Sequence, residues 1–259
     1  MAKFLIIPDY NNLNESLALA NKFNLGFEYN DFFTPAMLDN ELELNKRINT
    51  YNTAKVPDYC TSHGDFFDVL VFSDDPLIRE ISKKRVYQSM DVAKKLNVKG
   101  VVFHTNHTSF ITTKIYCDNF INRNCDFWTK VCSEYPDTNV YIENMFDTNP
   151  SLLARLAKSM KSVKNFGICL DYAHATAFGT DAISNWIELL SPYIKHLHIN
   201  DNDLKDDLHL AVGDGQINWQ EFKTYYEKYF TDCSILIEVN GKEKQKKSIE
   251  YLASIGILN

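Results

Sequence analysis

Seven histidines are spread through this 259-residue chain, and several of them, with a few acids, stand at the ends of short apolar runs. TSHG ends on His63, VVFHTN on His104, YIEN on Glu143, CLDYAH on Asp171 and His174, HLHIND on His198 and Asp201, and LIEVN on Glu238. A lone histidine in such a place usually finds an ordinary hydrogen bond, and a lone acid usually caps a helix or meets water. Six successive runs ending this way call for a common explanation. Imidazoles and carboxylates brought together at the edge of a core leave charge unpaired unless a cation sits among them. Mixed nitrogen and oxygen donors suit zinc, manganese or a similar divalent ion. Such an ion can acidify a C–H bond beside a carbonyl or activate water against an ester.

One further stretch belongs with these residues. DNDLKDDLHLAVGDGQINW follows His198 and places Asp207 and His209 two apart. On an extended segment alternate residues point the same way, so one ion could take both. The other reading is a solvated acidic loop. Gly213 and Gly215 predict a turn before Ile217–Trp219 opens a helix.

The elements that carry these residues are short and regular. Strands are expected at Phe4–Ile7, Gly26–Tyr29, Tyr59–His63, Gly100–His104, Asn139–Glu143, Phe166–Asp171, Ile194–Ile199 and Ser234–Val239. They are continuous apolar runs more than alternating ones, as parallel strands covered on both faces require. Helical spacing lies between them: Ile183, Trp186, Ile187 and Leu190 in one segment, Val86, Met90 and Ala93 in another, and Leu152, Leu153, Leu156, Ala157 and Met160 in a third. Asn149-Pro150 predicts a cap followed by proline at the first helical position, and a last helix spans about Glu243 to Ser254. Eight strands alternating with helices in a chain of this length predict an α/β fold, a single (β/α)8 TIM barrel over 1–259. An open doubly wound sheet would want a glycine-rich fingerprint after an early strand, and the first strand leads into PDYNNLNES instead. In a barrel, residues at the C-terminal strand ends share one rim.

Composition bounds the partners. Lys and Arg number 27 against 34 Asp and Glu, a formal charge of −7, which argues against a broad nucleic-acid surface. The first apolar run is too short for a signal peptide and no run is long enough for a membrane span. Six cysteines without regular spacing read as reduced thiols of a cytoplasmic protein.

With IEN, LDYAH, HLHIND, DLHLAVGDG and IEVN in this order, the chain resembles the xylose isomerase-like TIM barrels. That superfamily includes sugar isomerases and epimerases and the endonuclease IV group, also termed AP endonuclease family 2. The single-metal sugar enzymes imply a centre of Glu143, Asp171, His198 and Glu238. The endonuclease IV group implies two further ions, one on His63 and His104 and one on His174, Asp207 and His209. Two departures stand out. The tyrosine that endonuclease IV-type enzymes carry three residues after the strand-three histidine is Phe66 here, and NDFFTPAMLDN after strand two offers no Arg or Lys to a phosphate backbone. The arginine that ketose epimerases carry six residues after the strand-seven histidine is Leu204, with Lys205 beside it.

The resemblance implies a divalent-metal-dependent sugar or sugar-phosphate isomerase or epimerase, holding one to three zinc or manganese ions. Glu143 and Glu238 would move the proton and His174 would contact substrate. The alternative is a trinuclear zinc phosphodiesterase of the endonuclease IV kind. A third expectation, a barrel that binds sugar without turnover, would be signalled by a missing core ligand, and all four are present. Phe32, Phe33, Phe66 and Trp219 are candidate apolar walls, and Asn240-Gly241-Lys242 a candidate phosphate contact. The expected partner is a small sugar, not a membrane or nucleic acid, and a homodimer through outer helices fits the relatives.

Overall fold

The computed structural model describes residues 2–258, in which eight parallel strands close into a barrel in chain order, β8 pairing back onto β1. The chain runs β1 (Lys3–Ile6), α1 (Leu13–Phe23), β2 (Gly26–Tyr29), α2 (Pro35–Leu38), α3 (Glu41–Thr53), β3 (Cys60–His63), α4 (Pro76–Leu96) and β4 (Gly100–His104). It continues through α5 (Lys114–Glu134), β5 (Asn139–Glu143), α6 (Ser151–Ser159), β6 (Phe166–Asp171), α7 (Tyr172–Ala177) and α8 (Ile183–Leu190). β7 (Ile194–Ile199), α9 (Trp219–Tyr225), β8 (Ser234–Ile237) and α10 (Lys242–Ser254) complete it.

The apolar runs form strands because both faces are covered, by the barrel interior on one side and the helices on the other. Every residue of β6 is buried, and so is every residue of β8. The predicted helical stripes are the faces that cover them: Val86, Met90 and Ala93 in α4, Leu152, Leu153, Leu156 and Ala157 in α6, and Trp186, Ile187 and Leu190 in α8 are all buried. Differences from the expected boundaries are small. β1 is displaced by one residue at both ends, β3 starts one residue later, and β8 stops at Ile237, so Glu238 lies just beyond its strand. At α6 the cap is displaced by one: Pro150 is the capping residue, while the Asn149 side chain accepts from Ser151 N at 3.1 Å.

The loop after β7 is held by one carboxylate. Fully buried Asp201 accepts hydrogen bonds from the backbone N–H of Asn202, Gly213 and Ile217 and from Trp219 Nε1, at 2.8–3.1 Å. Its own backbone bridges Leu210 in both directions. Gly213 supplies the left-handed turn, with φ +92°, and Gly215 lets the backbone pass: a Cβ there would stand 2.3 Å from Asp201 Oδ1. Trp219 is therefore committed to this knot and to the core, and is not a wall of the site. Removing the carboxylate strands several buried donors, each costing roughly 1–3 kcal/mol. Asp201→Ala is expected to lower unfolding stability by about 3 kcal/mol or more, and an unchanged denaturation midpoint would refute this account of the loop.

Candidate metal centre

The barrel brings the strand-end residues together. Oxygen and nitrogen atoms of Glu143, Asp171, His198 and Glu238 all lie within 4.8 Å of one another. The same holds for His63, His104 and Glu143, and for His174, Asp207 and His209. All nine residues singled out as ligands thus fall into three adjoining groups. The nine are buried or half-buried.

Glu143 joins the groups. Its Oε1 lies 3.2 Å from His198 Nδ1 and 3.6 Å from His174 Nδ1, while its Oε2 lies 3.5 Å from both His63 Nε2 and His104 Nε2. Asp207 plays the same part at the mouth, with Oδ2 at 3.3 Å from His174 Nε2 and 3.1 Å from His209 Nε2.

Backbone carbonyls orient four of the imidazoles. Nδ1 of His63 faces the carbonyl of Gly64 at 3.0 Å, that of His104 faces Phe66 at 3.1 Å, that of His174 faces Asn144 at 3.0 Å, and that of His209 faces Glu238 at 2.8 Å. A carbonyl only accepts, so each Nδ1 carries a hydrogen, and each Nε2 is turned toward a carboxylate of the site, Glu143 or Asp207, where it can ligate a cation once any proton it holds there is displaced. His198 is reversed. Its Nε2 stands 3.0 Å from Glu28 Oε1, leaving Nδ1 toward Glu143 and Glu238.

Glu28 is the residue that inspection of strand ends misses, because it lies inside β2. It is fully buried, accepts from Thr61 Oγ1 at 2.6 Å, and touches His196 Nε2 at 3.0 Å as well as His198. Burial would raise its carboxyl, yet the two imidazoles hold it far below the usual carboxylate range. The available signal was a charged residue within a strand too short to be anything but covered. Asn144 also escaped notice. It clamps β5 to β6 by donating to the Asp171 carbonyl and accepting from Asp171 N, both at 2.9 Å. Asp171 in turn caps α7 by accepting from His174 N at 2.6 Å, which sets the spacing of that pair.

The donor set fits a cation. Buried atoms His63 Nε2, Glu143 Oε2, Asp171 Oδ2, Asp207 Oδ1 and Glu238 Oε2 have no hydrogen-bond partner, a concentration of unmet polar atoms that calls for a bound species. One layer deeper, Cys169, His196 and His198 also converge, but burial raises the Cys169 thiol well above its ordinary range and disfavours the thiolate a metal needs. The expectation that Asp207 and His209 align by strand alternation is corrected. The segment is irregular, and His209 adopts φ +44°, so a left-handed backbone turns its ring inward.

A cavity of about 630 Å3 opens beside Glu238, His63 and His209. Phe33 and Phe66 form its apolar wall, Phe66 packing 5.4 Å from the His63 ring and 4.5 Å from His104. Phe32 is not part of it, being buried against Tyr29 and Tyr51. Lys242 lines the cavity, with Nζ 3.0 Å from Glu15. Arg47 reaches the same wall from α3, 2.6 Å from Asp31, 3.1 Å from Glu43 and over the Tyr10 ring.

Protonation follows from burial among like groups. Burial, with Glu238 and Glu143 nearby, pushes Asp171 up to about 8. His209, which burial would lower, is instead raised to about 9 by Asp207 and Glu238. Below these values both hold protons that an entering cation must displace. Zinc uptake near neutral pH is expected to release protons and to tighten as pH rises toward 8, checked by calorimetry in buffers of different ionisation heat. Uptake without proton release would contradict the assignment. Glu28→Gln is expected to weaken metal affinity about 10–100-fold, read by competition with a chromophoric chelator.

A family model described as a xylose isomerase-like TIM barrel matches residues 20–255. An uncharacterised protein of Methanocaldococcus jannaschii, MJ1311, is 27% identical over 201 residues, spanning 73% of this chain and 67% of that protein. Among solved structures, the TTHB071 protein from Thermus thermophilus, soaked with ZnCl2, has a TM-score of 0.78 at 21% identity, covering 99% of this chain and 98% of its own. A D-tagatose 3-epimerase-like protein has 0.76 at 23%, covering 97% and 96%. Endonuclease IV from Thermus thermophilus has 0.65 at 14%, covering 98% and 97%. At these identities the structures show a shared fold.

Proposed function

The chain belongs to the xylose isomerase-like TIM barrel family, and from that premise we propose a divalent-metal-dependent isomerase or epimerase of a sugar or sugar phosphate. The observation that carries this reading is the cavity beside Glu238. It is a cleft of small-molecule size, lined by Asn11, Asn12, Asn30 and Asn240, amides suited to hydroxyl groups. Both cations on its wall are already matched by carboxylates, a poor grip for a nucleic-acid backbone.

Glu143, Asp171, His198 and Glu238 are the core ligands in this reading. A divalent ion held there supplies Lewis acidity toward a carbonyl and its neighbouring hydroxyl, and so acidifies the intervening C–H. Glu238 Oε2 is buried at the cavity wall and free of hydrogen bonds, which supports giving it the role of taking that proton. Glu143, entering from β5, is the second carboxylate that can return it. His174 Nε2 offers a contact to a substrate oxygen, Phe66 packs on the apolar face of the sugar, and Lys242 meets its far end.

A second reading rests on the full set of nine. His63, His104, His174, Asp207 and His209 are oriented as carefully as the core four, which suits three ions and phosphodiester hydrolysis of the endonuclease IV kind.

Elemental analysis of the purified chain separates the two when paired with activity. The isomerase reading expects solvent deuterium to enter a ketose at the carbon beside its carbonyl, with Glu143→Gln and Glu238→Gln each lowering turnover at least about 1,000-fold. Three tightly held zinc ions with cleavage of an abasic oligonucleotide would favour the second reading. A fully active double variant would sink both.

A further inference from the structure

On the outer wall of the barrel, away from the metal centre, a groove of about 290 Å3 runs between α4 and α5. Arg79, Lys83 and Tyr87 face it from α4, and Arg123, Phe127 and Lys130 from α5. The intervals are three and four residues, so each helix presents one continuous face. We infer that this groove binds a small molecule bearing a diphosphate and a flat apolar end, such as a nucleoside diphosphate.

The charge distribution is the first reason. The whole chain is acidic, yet four cations surround this groove and Asp126 is the single acid lining it. Two of the cations are forced close together: Arg79 Nη1 and Arg123 Nη1 both donate to the Ser73 carbonyl, at 2.6 and 2.7 Å. Arg123 also meets Asp74 at 2.7 Å and Lys130 meets Glu134 at 3.8 Å, but those carboxylates are 84% and 42% exposed and therefore screened by solvent. Among the described residues, Arg79 and Lys83 have no carboxylate within 4.0 Å. Like charges held at such separation repel, and an anion between them reverses the sign of the interaction.

Shape and chemistry narrow the ligand. A guanidinium fork matches the oxygens of a phosphoryl group. Cations on both helices, Arg79 and Lys83 from α4 and Arg123 and Lys130 from α5, offer more donors than one phosphoryl group uses. Tyr87 and Phe127, both lining the groove, meet edge to face with ring centroids 6.3 Å apart, and half-buried Tyr87 presents the more open ring to a flat ligand. Arg79 and Arg123 also hold the carbonyls of Phe72, Ser73 and Asp74. The exposed lysines Lys83 and Lys130 are therefore the residues to change.

The test uses the full-length, metal-loaded chain and a fluorescent N-methylanthraniloyl ADP probe followed by anisotropy. The expected result is saturable binding at one site per chain, weakened by added salt and displaced by inorganic pyrophosphate. Changing Lys83→Gln and Lys130→Gln together should weaken it at least about tenfold without altering the melting temperature, whereas Glu143→Gln should retain it. Absence of saturable binding overturns the proposal. So does binding that survives the double lysine change, or binding lost in Glu143→Gln, which would place the probe at the metal centre. Displacement by a poly-glutamate peptide but not by pyrophosphate would also overturn it, pointing to an acidic protein partner.

Discussion

A single buried carboxylate organises the candidate site. Glu143 is almost completely sealed from solvent, and both of its oxygens face imidazoles on different strands. Burial alone would drive such a group neutral, yet His198 and His104 hold it well below its ordinary range. Keeping an anion there demands donors from several directions, and a closed ring of parallel strands supplies them without bending any one element. The rim geometry is thus a consequence of compensating one charge in a dry place.

Around that constraint the chain uses local devices of modest kind. The Asn144 amide locks the end of β5 to the end of β6, and the Asp171 carboxylate both caps α7 and joins the ligand set. Asp201 does the equivalent for the loop after β7, gathering three backbone N–H groups and an indole so that Asp207 and His209 arrive at the mouth. Glu28 works from below, bracing His196 and His198 from inside the barrel. Support thus comes from the strand beneath, the neighbouring strand and the loop above.

Much of this was legible before the structure. Parallel strands buried on both faces are spelled as short apolar runs, and a costly residue where such a run ends is conspicuous, so the rim from His63 to Glu238 could be assembled in order. What stayed hidden was whatever departs from that rule. Glu28 sits within a strand and not at its end, so its only mark was being a charged residue in a segment expected to be covered on both faces. Phe32, Phe33, Phe66 and Trp219 are alike in composition and neighbourhood, yet Phe33 and Phe66 line the cavity while the others pack inward, a matter of side-chain direction that spacing in a loop does not encode. His209 was placed with the right partners for a reason the structure replaces, since its inward turn comes from backbone conformation.

That backbone turn has a thermodynamic side. A histidine held at φ +44° occupies a region that asparagine or glycine enters more readily. The position therefore opposes two demands: a glycine would relax the chain and shed the imidazole, while the histidine retains a donor at the expense of a strained peptide. Stability at this position is thus a balance, the strain of the turn set against the ring's bond to the Glu238 carbonyl and its pairing with Asp207.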